Sequence, residues 1–253
     1  MNKKEGIYKL LKAIETGDPV SVSVVNEAQY IQHNPQTLEG SEGLAELFKR
    51  LSKTSPRVNI VRIFEDDNYV FAHTEYDFDT RNIGFEIFRF ENDQAVEHWD
   101  NIQNRKRPNY SGHSMVDGVT EVTDHDSTEK NREIVKSFVK NILIESKFNN
   151  LNDYFTKDNY TEHNPNRGDS LTDLKHILSG SNYNSSPFIE YKKCHRLLAE
   201  GNFVLAVCEG YVNQKHSSIF ELYRLKNEKI VEHWDTTEVI PPLDEWKNNN
   251  GKF

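Results

Sequence analysis

Two stretches of helical spacing, each followed by a long run of two-residue alternation, set out the chain. Ile7, Leu10, Leu11 and Ile14 recur at the interval of one helical face, and Gly17-Asp18-Pro19 ends that helix. Ile134, Val135, Phe138, Val139, Ile142 and Leu143 form a longer apolar face, with Asp126 and Glu129 placed to cap it. A second, shorter helix is expected in each half. Leu44, Leu47, Phe48 and Leu51 mark one, and Leu171, Leu174 and Ile177 the other, with Ser170 and Asp173 positioned as its cap. Strand patterns follow at Val58 to Phe64, Tyr69 to Tyr76, Ile83 to Phe90 and Ala95 to Gln103. They recur at Ile189 to Ala199, Phe203 to Tyr211, Ser218 to Leu225 and Ile230 to Val239. Polar turns such as Glu65-Asp66-Asp67-Asn68, Asn92-Asp93-Gln94 and Glu200-Gly201-Asn202 separate them. Helices first and an antiparallel sheet after predict an α+β domain with the helices on one face of the sheet.

The pattern occurs twice because the chain repeats itself. Tyr30-Ile31-Gln32-His33-Asn34-Pro35 returns as Tyr160-Thr161-Glu162-His163-Asn164-Pro165, and Glu97-His98-Trp99-Asp100 returns as Glu232-His233-Trp234-Asp235. Phe85-Glu86-Ile87-Phe88-Arg89-Phe90 matches Phe220-Glu221-Leu222-Tyr223-Arg224-Leu225 between them. A repeat of this length buries a core of its own, so two similar domains are expected, over residues 1–108 and 128–242. Residues 109–127 read as a connector that packs partly on a domain surface, and 243–253 as a tail for which Trp246 is the candidate anchor.

Charge narrows the partners. With 31 basic against 40 acidic residues in 253, the formal charge is −9, which disfavours nucleic acid and anionic membrane surfaces. No apolar run is long enough to span a membrane, and the opening residues do not read as a signal peptide. Two cysteines are too few for a disulfide framework, so a reducing cytoplasm is the expected compartment. Cys194 and Cys208 lie at equal distances from the Gly201 turn, which can set them face to face across a hairpin, and they are expected as thiols buried as small hydrophobes. Neither a glycine-rich phosphate loop nor a nucleophile elbow occurs, and no spacing matches a zinc motif, so neither nucleotide-dependent nor metal chemistry is expected.

Candidate chemistry lies on the last two strands of each half. Alternation puts Val96, His98, Asp100 and Ile102 on one face and Glu97, Trp99 and Asn101 on the other. A hairpin turning through Asn92-Asp93-Gln94 pairs Glu91 with Ala95, and the same register sets Glu86 opposite Asp100. In the second half, pairing Lys226 with Ile230 sets Glu221 opposite Asp235. A slip of one residue would separate these acids onto opposite faces. Side by side among aromatic residues, such a pair has a carboxyl raised toward neutrality, as a general acid or base requires. The structural alternative is that His98 or Arg89 neutralises it. His33 and His163 precede Asn-Pro, where a histidine can bind a ligand, move a proton or cap local carbonyls.

These residues, with Val70-Phe71-Ala72-His73 and Val96-Glu97-His98-Trp99-Asp100, resemble the SnoaL-like branch of the nuclear-transport-factor-2-like superfamily, twice over. The resemblance implies two cone-shaped α+β domains, each with helices and a curved antiparallel sheet around a deep apolar pocket. It also implies proton transfer without a cofactor, as in polyketide cyclases that close rings by aldol condensation, ketosteroid isomerase and scytalone dehydratase. The cyclases' base aspartate falls on Asp100 and Asp235, whereas their histidine partner falls on Glu86 and Glu221, a departure from the pattern. The expected function is therefore a small-molecule enzyme in which Asp100 or Asp235 removes a proton next to a carbonyl. His33 or His163 and Glu86 or Glu221 would stabilise the enolate, with His73, Tyr30, Tyr160 and Phe88 at the substrate. The alternative is a non-catalytic module for an apolar metabolite or a protein partner. The expected ligand is a small apolar or carbonyl-containing molecule, and the halves are expected to form a pseudo-dimer within the chain or a homodimer.

Overall fold

A computed structural model describes residues 2–40, 43, 55–156, 159–180 and 188–253. The chain forms two compact units, Met1–Asn104 with Ile240–Phe253, and Arg105–Val239. The expected tail is thus part of unit 1, and the expected connector is part of unit 2. Asparagine side chains in both segments bond to backbone of the unit they lie on, which the apolar pattern could not register.

In unit 1, helix α1 (Lys3–Thr16) begins where Asn2 Oδ1 accepts from Glu5 N at 3.2 Å. It ends at Gly17, whose N–H closes the last turn on the Ala13 carbonyl at 2.7 Å and whose left-handed φ of 67° then turns the chain out of the helix. Its buried side includes Ile7, Leu10 and Leu11. The sheet comprises β1 (Ile31–Gln32), β2 (Arg57–Asp66), β3 (Tyr69–Asp77), β4 (Arg81–Glu91) and β5 (Gln94–Asn104), in the order β1-β5-β4-β3-β2. The helix expected at Leu44 to Leu51 lies outside the described residues.

Unit 2 repeats this with α2 (Thr128–Phe138), β6 (Thr161–Glu162), α3 (Leu171–Leu178), β7 (Ile189–Glu200), β8 (Phe203–Val212), β9 (Lys215–Lys226) and β10 (Lys229–Val239). Its sheet order is β6-β10-β9-β8-β7. Ser170 caps α3 by accepting from Asp173 N at 3.2 Å, as expected. At α2 the expected cap fails: the helix begins after Ser127 with no side-chain cap bond, and Glu129 pairs with Arg132 instead. A π-helical turn, Val139–Ile144, follows α2 and keeps Ile142 and Leu143 buried.

Each unit is α+β, with helices against a curved sheet. The sheets are mixed and not wholly antiparallel, because β1 and β6 run parallel to β5 and β10. Two-residue strands are too short for alternation to announce them. The hairpin register joins the acids by a route with two differences that cancel. The turns contain two residues, Asn92-Asp93 (φ 48° and 62°) and Asn227-Glu228 (φ 51° and 64°), one fewer than expected. A bulge at Arg89/Phe90 in one unit and Ile230/Glu232 in the other restores the missing residue. Glu86 therefore pairs with Asp100, and Glu221 with Asp235.

Candidate functional site

The concave side of the unit 1 sheet encloses a cavity of about 230 Å³. Apolar walls come from Leu10, Leu11 and Ile14 on α1, with Phe88 and Ile102 on the sheet. Glu86, His98 and Asp100 line one region of it, and all three are buried. Their hydrogen bonds define a proton inventory. Gln32 Oε1 accepts from Asn34 N at 2.9 Å, which fixes the amide oxygen toward His98 Nδ1 at 3.1 Å. Nδ1 must therefore carry a proton and donate it. His98 Nε2 lies 2.8 Å from Glu86 Oε2, so one further proton is shared across that contact, whichever atom holds it. Tyr76 donates to the other oxygen, Glu86 Oε1, at 2.7 Å. Gly84 makes room for that ring: a Cβ there would stand 2.6 Å from Tyr76 Cε2 and 2.8 Å from Glu86 Oε1.

Asp100 is held separately. Asn34 Nδ2 donates to Oδ2 at 2.8 Å, while Oδ1 is sealed on the side of Lys252, whose Nζ is 3.5 Å away. Oδ2 is left as the carboxylate oxygen on the cavity side. Tyr30 also lines the cavity, and its hydroxyl has no hydrogen-bond partner among the described residues. Burial, reinforced by Glu86 and Asp100, pushes the Tyr30 phenol well above its ordinary range, so it remains an O–H donor. Donor atoms of Glu86, His98 and Asp100 lie within 4.8 Å of one another, close enough to hold one cation. The shared proton and the Lys252 ammonium already supply positive charge there.

Unit 2 has the same three residues and a different interior. The space beside Glu221 and His233 has shrunk to about 10 Å³, filled by Phe138, Phe155, Tyr160, Tyr191, Tyr223 and Arg167. Arg167 stands at the position of Thr37 and reaches within 4.0 Å of Glu162 and 3.9 Å of Asp235. Glu162 stands where unit 1 has Gln32. His233 donates from Nδ1 to Glu162 at 2.8 Å and from Nε2 to Glu221, so it is an imidazolium. Burial opposes that charge, but the two carboxylates outweigh it and lift His233 to about 10. Glu162, also opposed by burial, is drawn down to about 2 by His233 and Arg167. Asp235 is raised to about 6, chiefly by burial, against the pull of Arg167. Tyr160, the counterpart of Tyr30, is bound to Glu162 at 2.7 Å.

Several residues expected at the site lie elsewhere. His33 and His163 stack on Trp99 and Trp234 with centroids 4.6 Å apart in each unit. They bond to Glu97 at 2.8 Å and Glu232 at 3.0 Å, on the face opposite the acids. The cause is the parallel pairing of Gln32 with His98 and Glu162 with His233, which turns residues 32 and 162 inward and the next residue outward. His73 also faces away from the cavity, against Phe85 and Arg62. Tyr30 and Phe88 line the unit 1 cavity, and Tyr160 lies in the filled interior of unit 2. Sequence reasoning passed over Gln32, Asn34, Tyr76, Lys252 and Arg167, and saw His98 only as a neutraliser. The coupled differences Gln32/Glu162 and Thr37/Arg167 between the repeats were the available signal.

No family model matches the chain, and no curated protein matches it. In fold it is similar to solved structures. TsrD from Streptomyces laurentii matches at 18% identity over 39% of this chain and 86% of its own, with a TM-score of 0.35. A SnoaL-like polyketide cyclase from Agrobacterium tumefaciens matches at 13% identity over 43% and 91%, with a TM-score of 0.35. An LEH-like epoxide hydrolase from M. tuberculosis matches at 15% identity over 44% and 85%, with a TM-score of 0.34. Among the described residues, no helix is long and apolar enough to cross a membrane.

Proposed function

We propose that the unit 1 cavity is a cofactor-independent proton-transfer site for a small enolisable carbonyl compound, and that unit 2 is its structural companion. The observation that carries this is a held carboxylate, Asp100, in a mostly apolar cavity of about 230 Å³ that it shares with Tyr30, a phenol with no hydrogen-bond partner among the described residues. The volume lies just under the roughly 300 Å³ from which ligand pockets ordinarily start, which favours a compact substrate. Asp100 Oδ2 takes the proton from the carbon next to the carbonyl, and the electron pair of the broken C–H bond moves into the enolate. Tyr30 donates a hydrogen bond to the carbonyl oxygen as its charge develops. Asp100 then returns the proton to the product, so nothing is consumed. His98 and Glu86 form the polar wall, and Gln32 fixes the imidazole tautomer. Unit 2 lacks both requirements, since Tyr160 is bound to Glu162 and the space beside Glu221 and His233 is only about 10 Å³.

Deuterium exchange at the α-carbon in D2O, followed by proton NMR over a panel of small ketones, tests the step without assuming its product. Asp100→Asn is expected to lower exchange by about 100-fold or more, the range of a lost general base, while Asp235→Asn leaves it unchanged. Equal rates in the wild type and Asp100→Asn would remove Asp100 from the chemistry.

A further inference from the structure

The tail of the chain brings a buried cation to the wall of the unit 1 cavity. Lys252 is 4% exposed, and its Nζ donates to the Asp100 carbonyl oxygen at 2.7 Å while standing 3.5 Å from Asp100 Oδ1. Residues before it are tied along the segment that holds the site. Lys247 N bonds to Pro35 O at 2.8 Å, Asn248 Nδ2 to Asn34 O at 2.8 Å and Thr37 O at 2.9 Å, and Asn250 Nδ2 to Gln32 O at 3.1 Å. Gln32 and Asn34 are the residues that hold His98 and Asp100. His33 Nδ1 meets the Gly251 carbonyl at 2.8 Å, closing the clasp.

Unit 2 is clasped in the same way by residues 109–114. Asn109 Nδ2 donates to Glu162 O at 2.6 Å, and His163 Nδ1 meets the Ser114 carbonyl at 2.8 Å. One residue beyond that carbonyl unit 2 has Met115, also buried, where unit 1 has Lys252. Unit 2 balances Asp235 with Arg167 from inside its interior; unit 1 balances Asp100 with Lys252 from behind and leaves its interior open.

Resting on the assignment of this cavity as the ligand site, we propose that Lys252 is a positioning residue, the counter-charge of Asp100. It thereby makes the cavity select an uncharged hydrogen-bonding ligand over an ammonium or carboxylate of the same shape. The charge count supports this. Asp100 and Lys252 cancel, Glu86 and His98 share one proton and cancel, and Tyr30 and Tyr76 are held as neutral phenols by burial and the nearby acids. An ion entering such a cavity gives up its hydration and meets no uncompensated opposite charge.

Two measurements on the full chain test it. The first is the affinity of 1-indanone, 1-aminoindane and indane-1-carboxylate, which share one bicyclic skeleton and differ in charge. The wild type is expected to bind the ketone at least about tenfold more tightly than either ion. Lys252→Met, which installs the residue of unit 2, should raise the amine relative to the ketone by about tenfold, the effect of one uncompensated charge, and Lys252→Arg should keep the wild-type order. An unchanged ketone-to-amine affinity ratio in Lys252→Met, or a wild type that prefers the amine, overturns the proposal. A wild type that binds none of the three overturns the cavity assignment itself. The second measurement needs no ligand. Lys252→Met should lower the melting temperature by roughly 6 °C or more, as when one member of a buried ion pair is removed, and by much less in an Asp100→Asn background. Equal losses in both backgrounds overturn the pairing.

Discussion

The imidazolium buried in unit 2 gives the protein an alkaline limit that can be worked out in advance. His233 titrates near 10 in the fold against about 6.5 in a free chain, because Glu162 and Glu221 flank it. A group raised in this way adds stability that is complete below the unfolded value and is lost as pH rises through the folded one. Asp235, raised to about 6, acts in the same direction but between its ordinary 3.8 and 6. Glu162, lowered to about 2, contributes above its ordinary 4.5 and is lost as pH falls through about 2. Of these three groups, only His233 changes the proton balance between pH 6.5 and 9. That interval of about 2.5 pH units, at about 1.4 kcal/mol each, predicts a loss of about 3 kcal/mol. The assay is urea unfolding followed by Trp234 fluorescence in a Trp99→Phe/Trp246→Phe background. Glu162→Gln gives His233 the single carboxylate partner that His98 has, and should reduce the alkaline loss to roughly half. A midpoint that stays flat from pH 6.5 to 9, or the same slope in both proteins, would refute the imidazolium assignment.

His33→Gln removes the stacked, bonded ring between Trp99, Glu97 and Gly251. It should cost about 1–2 kcal/mol in urea unfolding and leave α-proton exchange unchanged; a loss of exchange at full stability would return His33 to the chemistry. Gly84→Ala puts a methyl 2.6 Å from Thr74 Oγ1 and Tyr76 Cε2. An overpacking cost of about 1–3 kcal/mol is expected in urea unfolding, and an unchanged midpoint would show that the Tyr76 ring does not need the space.

Much of the architecture was legible because strong periodicity carries it. The strands from Arg57 to Asn104 and from Ile189 to Val239 alternate or run apolar over ten residues or so, far longer than chance allows. The duplication doubled every signal. The pairing of Glu86 with Asp100 was reached although the turn is one residue shorter than expected, since the bulge compensates. What stayed hidden depended on contacts between distant residues. Nothing local announces that Gln32 and not His33 points inward, because that follows from a two-residue parallel strand. The tail was equally opaque: Trp246 is only half-buried and bonds to Pro241, while Asn248 and Lys252, polar residues in a polar run, are the ones that dock.

The differences between the repeats are linked, and that pattern explains how the space beside Glu221 and His233 could fill while that beside Glu86 and His98 stayed open. Unit 2 gains an acid at Glu162 and a cation at Arg167, and has methionine where unit 1 carries a lysine on its clasp. Glu162 without Arg167, or Arg167 without Glu162, would leave a buried charge with one partner fewer, a cost of several kcal/mol. The tyrosine that donates to the glutamate also changes strand. Tyr76 on β3 does so in unit 1; in unit 2 its place is taken by Gly210, and Tyr191, paired with that glycine on β7, donates instead. Gly84, which leaves room for the Tyr76 ring, becomes Ile219, which takes up the space the ring no longer needs. The Glu–His contact survives both arrangements, so it serves the fold in each unit. Among the described residues, unit 1 differs in having a phenol without a hydrogen-bond partner, a carboxylate balanced from behind, and vacant volume beside them. The proposed ligand site rests on these three together.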